Sequence, residues 1–248
     1  GFTIGANISY LFGTLLNETY AKLSSASYGV FQDQIEVRDF HLVFGAQYSI
    51  DFNKNNRLTL GLTYSPEKTL LGTSRQAAYA PGEGEPTFSN EHSLKGNYSL
   101  PEKWGAGINY QIGRRIMLEF DYTFQPWSKA KYLGFGDELN FEFADRTKYA
   151  LGFQYTPDFR GSYLKRVNYR LGGFMTDDYL KIGGNQLREY GVTLGFGFPV
   201  PTFKTTVNLG FEWMRRQAHP DPLIKENYLN ITLGINFNEM WFRQSKIY

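Results

Sequence analysis

Tyr190-Gly191-Val192-Thr193-Leu194-Gly195-Phe196-Gly197-Phe198 alternates without a break between large apolar residues and glycine or threonine. Successive side chains of a strand face opposite sides. Tyr190, Val192, Leu194, Phe196 and Phe198 therefore share one face, and Gly191, Thr193, Gly195 and Gly197 share the other. The second face holds almost nothing from which a dry core could be built. A soluble β protein buries its apolar face, which here would leave a glycine face outside. The reverse arrangement, with apolar side chains toward lipid and small polar ones toward a lumen, is that of a transmembrane β-barrel.

The pattern recurs in ten stretches: 2–12, 39–50, 57–65, 104–112, 115–125, 148–156, 167–176, 189–198, 205–214 and 227–237. In the first, Phe2, Ile4, Ile8, Tyr10 and Phe12 face out and Thr3, Gly5, Asn7 and Ser9 face in. In the fifth, Leu118, Phe120, Tyr122 and Phe124 face out and Glu119, Asp121 and Thr123 face in. A band of about 9–11 residues, at about 3.3 Å each and a tilt near 40°, spans the roughly 25 Å apolar layer of an outer membrane. Trp104, Trp127 and Trp213 fall near strand ends, where an interfacial aromatic girdle is expected.

Composition agrees with this reading. A mean hydropathy of −0.42 would argue against a helical membrane protein, but half of every barrel strand is polar. No run approaches the roughly 18 apolar residues of a membrane helix. The 26 glycines and 17% aromatic content favour an all-β chain. There is no cysteine, which excludes disulfides and thiolate metal sites. The net charge of +2 is interspersed, with no basic block for nucleic acid. The chain opens at Gly1 inside a strand pattern without a leader, which reads as a processed or truncated chain.

The connections alternate in length. Turns at 54–56, 113–114 and 200–202 are short, and 157–166 is medium. Segments 13–38, part of which is open to extending the flanking strands, 66–103, 126–147 and 215–226 are longer, 177–188 is medium to long, and 80–86 is rich in Gly, Pro and Glu. Outer-membrane barrels have short periplasmic turns and longer outer loops. Both chain ends are then expected on the periplasmic side of a Gram-negative outer membrane, in one barrel domain over 1–248.

A more specific signal lies at Leu100-Pro101-Glu102-Lys103-Trp104-Gly105-Ala106-Gly107-Ile108-Asn109-Tyr110, followed by Leu118, Asp121 and Trp127-Ser128. This resembles the LPE-x-x-x-x-G-x-x-Y, L-x-x-D and W-S stretch of the FadL family, outer-membrane channels for long-chain fatty acids and other hydrophobic compounds. Tyr149 through Pro157, Arg170-Leu171-Gly172-Gly173-Phe174 and Leu187 through Gly197 resemble later strands of that family, in order. Leu58 through Ser65 fits upstream. The resemblance implies a fourteen-strand barrel with a luminal N-terminal hatch. This chain corresponds to ten of those strands, without a counterpart for the hatch or the other four.

The inward parity carries the candidate functional residues. Asp39, His41, Arg57, Glu119, Asp121, Arg170 and Glu212 are expected as hydrated or mutually paired lumen groups, because an unpaired buried charge is costly. Leu11, Val43, Met117, Phe174 and Met214 are the apolar exceptions on that face. Val43, Met117, Phe174 and Met214 are candidates for a hydrophobic ligand path, plug contacts and lumen filler remaining open as other roles. Glu119 and Asp121 have a separation that overlaps paired glycosidase carboxylates, but lumen charges explain them more simply. His92 and His219 fall in loops, and the acidic loop 83–85 lacks an organised calcium pattern. No nucleophile, base and orienting group come together in sequence, and no metal or cofactor is expected. The expected function is passive outer-membrane passage of fatty acids or other hydrophobic small molecules, with membrane lipid and such a ligand as partners. The alternative is a FadL-related structural or interaction subunit of an envelope secretion machine, with a protein partner. By resemblance, neither is an enzyme.

Overall fold

The computed structural model describes residues 1–22, 28–80, 88–132, 141–200, 205–222 and 225–236. In order the strands are β1 (Phe2–Lys22), β2 (Tyr28–Asn53), β3 (Asn56–Ser65), β4 (Lys68–Thr69), β5 (Gly72–Tyr79), β6 (Phe88–Ser93), β7 (Ser99–Leu100), β8 (Lys103–Ile112), β9 (Ile116–Gln125), β10 (Phe141–Phe143), β11 (Arg146–Tyr155), β12 (Asn168–Ile182), β13 (Asn185–Pro199), β14 (Thr206–His219) and β15 (Lys225–Asn236). A single helical turn, α1 (Tyr163–Arg166), lies between β11 and β12.

The ten expected strands are β1, β2, β3, β8, β9, β11, β12, β13, β14 and β15. Each pairs antiparallel with the next. Among the described residues the sheet is open, for β15 is terminal and β1 pairs with β2 alone.

Register aligns like with like. One row runs Ile231, Phe211, Leu194, Leu171, Phe153, Leu118, Tyr110, Leu58, Ile50 across nine strands. The row one residue over runs Asn230, Glu212, Thr193, Gly172, Gly152, Glu119, Asn109, Thr59, Ser49. A slip of one residue on any strand would put an apolar side chain into the polar row, so the alternation fixes the pairing. The apolar row is open to its surroundings: Leu194 is 46% and Leu171 58% exposed. The few buried apolar residues, such as Val30, Leu94 and Val167, lie in strand extensions and loops. A wall with lipid outside has no mid-strand core to bury.

Segment 13–38 extends the flanking strands, and several other segments expected as connections also hold strands. Segment 13–38 continues β1 and β2 as one hairpin, in register from Phe2 opposite Tyr48 to Lys22 opposite Tyr28. Segment 66–103 contains β4 to β7, and β5 replaces β3 as the neighbour of β2 along 30–37. Segment 126–147 holds β10, on the far end of β12. Segment 177–188 is the continuation of β12 and β13 around Gly183-Gly184, both at positive φ (56° and 79°). Two left-handed residues make the tight turn that matches strand twist, and glycine takes them without steric cost. Segment 215–226 is largely β14 and β15. In these extensions the strict alternation that marks the membrane strands breaks, as at Leu15-Leu16 followed by Asn17-Glu18. The turn at 201–204 and loop 81–87, with its acidic stretch, lie outside the described residues, as does the end of the tenth expected strand.

Two ends of the sheet are distinct. Turns 54–55, 113–115 and 156–167 share one end: Gly113 N–H donates to Asn55 O, and Thr156 N–H to Arg115 O at 2.8 Å. The long connections all leave from the other. Trp104 packs on Tyr64 at 4.2 Å and Tyr10 on Phe40 at 5.0 Å, near that far end. Trp127, expected in the same girdle, instead stacks on Tyr179 at 4.4 Å beside Phe143. The 3₁₀ turn that carries it is pinned by Asp145 Oδ1, which accepts from Ser128 N–H and Oγ–H. No helix among the described residues is long and apolar enough to cross a membrane.

Candidate functional site

The polar row lacks side-chain bulk at its centre. Gly61, Gly105, Gly107, Ala150, Gly152, Gly172 and Gly191 leave gaps between longer neighbours on β3 to β13. Three hollows result. One of about 350 Å³ lies over β9, β11, β12 and β13, with Met117, Glu119, Asp121, Lys148, Arg170, Phe174 and Thr193 around a floor of Ala150, Gly152 and Gly172. A second, of about 390 Å³, shares Asp121, Lys148 and Ala150 with it and extends over Gly105, Gly107 and Thr123. A third, of about 260 Å³, shares Gln47, Gly61 and Thr63 with the second and reaches Thr3 and Gly5. Together they form one shallow trough across the polar face from β1 to β13.

Phe174 sits opposite Gly191, and a Cβ there would lie 2.9 Å from the ring. The glycine thus lets the ring lie down on the wall. Lys148 Nζ stands 5.5 Å from the centre of that ring. Met117 is opposite Gln111, whose amide lies 3.8 Å from its sulfur. Met117 and Phe174 therefore line one hollow. Met214, opposite Gly191 and Tyr228, and Val43, opposite Asn7, lie on the same face but outside the three hollows.

The charged candidates divide by partner. Arg57 pairs with Asp51 on the adjacent strand, Nε to Oδ1 at 2.7 Å. Arg170 donates to two neutral amides, Gln154 Oε1 at 2.8 Å and Asn208 Oδ1 at 2.9 Å. Glu212 accepts from Asn230 at 2.9 Å. Glu119 and Asp121 share the first hollow with Lys148 and Arg170, yet no ion pair of 4.0 Å or less joins them among the described residues.

Asp39 is not a hydrated lumen group. Its side chain is 2% exposed and lies where β5 takes over from β3 beside β2. It receives Lys68 Nζ at 2.9 Å, Leu71 N–H at 3.0 Å and Phe40 N–H at 2.7 Å. His41 is tied as well: its Nε2 lies 2.9 Å from Ser65 Oγ, at the end of β3. A serine and a histidine in hydrogen-bond reach is half of a nucleophilic pair. Here Ser65 is buried and Asp39, the carboxylate two residues from His41, is committed to Lys68. The contact closes the junction of β2 and β3 and offers no accessible nucleophile. Among the described residues no three His, Asp or Glu are placed to hold a metal.

Sequence reasoning missed Lys148 and Gln154 as trough residues and Ser65 as the partner of His41, whereas Thr193 was already on the inward face. Lys148 shares its parity with Ala150, Gly152 and Gln154, which would have flagged it. The Ser65 contact crosses strands and had no local signal.

Ten long antiparallel strands, apolar on one face and glycine-polar on the other, have the architecture of part of the wall of a FadL-type outer-membrane barrel. The chain superposes on a CymD monoaromatic hydrocarbon channel with a TM-score of 0.56 at 14% identity, over 94% of this chain and 68% of that one. It superposes on a Pseudomonas aeruginosa FadL homologue with a TM-score of 0.57 at 13% identity, over 88% of this chain and 56% of that one. No curated protein sequence matches it. The BamG family model matches residues 1–248, and the chain belongs to the BamG family.

Proposed function

We propose that this chain forms barrel wall in a Gram-negative outer membrane and that its polar face passes hydrophobic small molecules, long-chain fatty acids among them. The trough carries the reading. Its floor is glycine and alanine, so space remains beside the wall, and Met117 and Phe174 supply apolar contact beside Glu119, Asp121, Lys148 and Arg170. A pocket that combines apolar contact with a few polar groups suits ligand binding. Phe174→Arg is expected to slow uptake of labelled long-chain fatty acid severalfold in cells carrying the full-length protein. The wall facing lipid is untouched by that change. Uptake at the wild-type rate would remove Phe174 from the path.

The short turns at one end support a periplasmic placement for that end and for Gly1, whose carbonyl accepts from Ser49 N–H at 2.8 Å. A cysteine in place of Lys95 is expected to react with an impermeant maleimide on intact cells. One in place of Asn55 is expected to react only after the outer membrane is permeabilised. The opposite labelling would invert the orientation.

A second reading is an interaction subunit of an envelope protein machine. It is supported by membership of the BamG family and by the layer built outside the membrane strands. There β1 and β2 run past the end of β3 and gain β5 and β6. Leu15, Leu16, Tyr20 and Phe31 are all at least half exposed on that hairpin. A deletion strain that keeps normal uptake of hydrophobic compounds but loses envelope protein secretion would decide for this reading.

A further inference from the structure

The end of the sheet with the short turns carries a cluster of cations around residues 114–115 and 160–166. At the end with the long connections five arginines have carboxylates within 4.0 Å: Arg38 with Glu36, Arg75 with Glu91, Arg146 with Asp178, Arg188 with Asp177 and Arg216 with Glu189. At the end with the short turns Arg57 pairs with Asp51, whereas Arg114, Arg115, Arg160, Lys165 and Arg166 have no such partner among the described residues. Asp158 is the carboxylate among them, and its Oδ1 accepts from Arg160 N–H at 3.0 Å. The Arg166 Nε is enclosed by protein and has no hydrogen-bond partner.

Three of these cations are mounted on aromatic rings. The guanidinium carbons of Arg114 and Arg160 lie 5.3 and 5.5 Å from the centre of the Phe159 ring, and that of Arg166 lies 5.7 Å from Tyr163. The segment is a built platform. Asp158 N–H donates to Lys165 O at 2.8 Å, Tyr169 Oη–H donates to Leu164 O at 3.0 Å, and Val167 beneath it is 1% exposed. Phe159 and Leu164 nevertheless stand exposed, at 43% and 67%. The lipid-facing row ends next to them, at Ile112, Ile116 and Tyr155, which are paired across β8, β9 and β11.

We propose that this rim is a binding surface for anionic glycerophospholipid of the adjoining leaflet, with phosphate held by Arg114, Arg160 and Arg166 and acyl chains against Phe159 and Leu164. A planar guanidinium held on a ring presents its free edge to a phosphate and loses little freedom on binding. Unpaired cations at headgroup level attract anionic lipid, and exposed apolar residues beside them suit the interface rather than water. An acidic protein would explain the charge but not why the patch continues the lipid-facing band. The proposal rests on the barrel orientation given above, and the maleimide experiment tests that separately.

Full-length protein would be reconstituted in phosphatidylcholine vesicles containing spin-labelled phosphatidylglycerol, phosphatidylcholine or lipid A. Wild type is expected to restrict phosphatidylglycerol several-fold more than phosphatidylcholine, with the preference falling as salt rises. Arg114→Gln, Arg160→Gln and Arg166→Gln combined are expected to bring it to parity. Arg114→Gln alone, expected to give a partial loss, serves if the triple variant does not fold. Equal restriction of the two phospholipids by wild type, or a preference unchanged in the variants, would overturn the proposal. So would preference for lipid A, which would place the rim on the outer surface. Loss of a bound acidic envelope protein from the variants, with lipid preference intact, would assign the patch to that protein.

Discussion

Leu194→Arg is expected to destabilise the protein folded in lipid vesicles by about 2–4 kcal/mol, the cost of an arginine on a barrel's lipid face near the bilayer centre. Thr193→Arg, one residue away, is expected to cost much less. Leu194 lies between Leu171 and Phe211 in the apolar row, whereas Thr193 lies between Gly172 and Glu212, where an arginine gains space and a carboxylate. Denaturant titration of both variants in the same vesicles measures the difference. A larger loss for Thr193→Arg would mean that the polar face meets lipid and the apolar face does not.

Asp39→Leu is expected to release the segment that crosses from the membrane wall to the outer strands. Asp39 accepts from two backbone N–H groups and an ammonium in a site closed to water. Leucine would leave both N–H groups without their acceptor, at about 1–3 kcal/mol each. Lys68, whose side chain is 36% exposed, can return to water, so its lost ion pair adds little. Tryptic cleavage after Lys68 in the reconstituted protein is expected to speed up at least about tenfold, a factor that corresponds to 1.4 kcal/mol. Asp39→Asn, whose amide oxygen still accepts, is expected to be milder. Wild-type protection in Asp39→Leu would show that the junction is held elsewhere.

The ten membrane strands were legible because lipid imposes a rule on every residue of them. Each side chain meets either oil or the lumen, so a period of two persists over each span and places Leu194 and Thr193 on their faces before any pairing is known. The glycine-rich parity of β13, and the tight turn at Gly113, were readable for the same local reasons. Apolar exceptions such as Phe174 and Met117 were visible against a polar background, as were the inward charges Glu119, Asp121 and Arg170.

Beyond the membrane that rule lapses. Gln32 and Glu36 carry no sign in the sequence that they will pair with Ala77 and Thr73, because such pairing depends on where two distant segments meet. The same holds for Asp39, an inward residue by parity that tertiary structure turns into a buried clasp with Lys68, and for His41 with Ser65. The sequence alone thus determined the alternating wall, its two faces and the strands that cross lipid, since those follow from local periodicity against a fixed solvent. Only the tertiary structure decided the depth of the trough, the junction at Asp39 and the platform around Phe159. Each depends on distances between residues remote in the chain, set by register and by the space that glycine leaves.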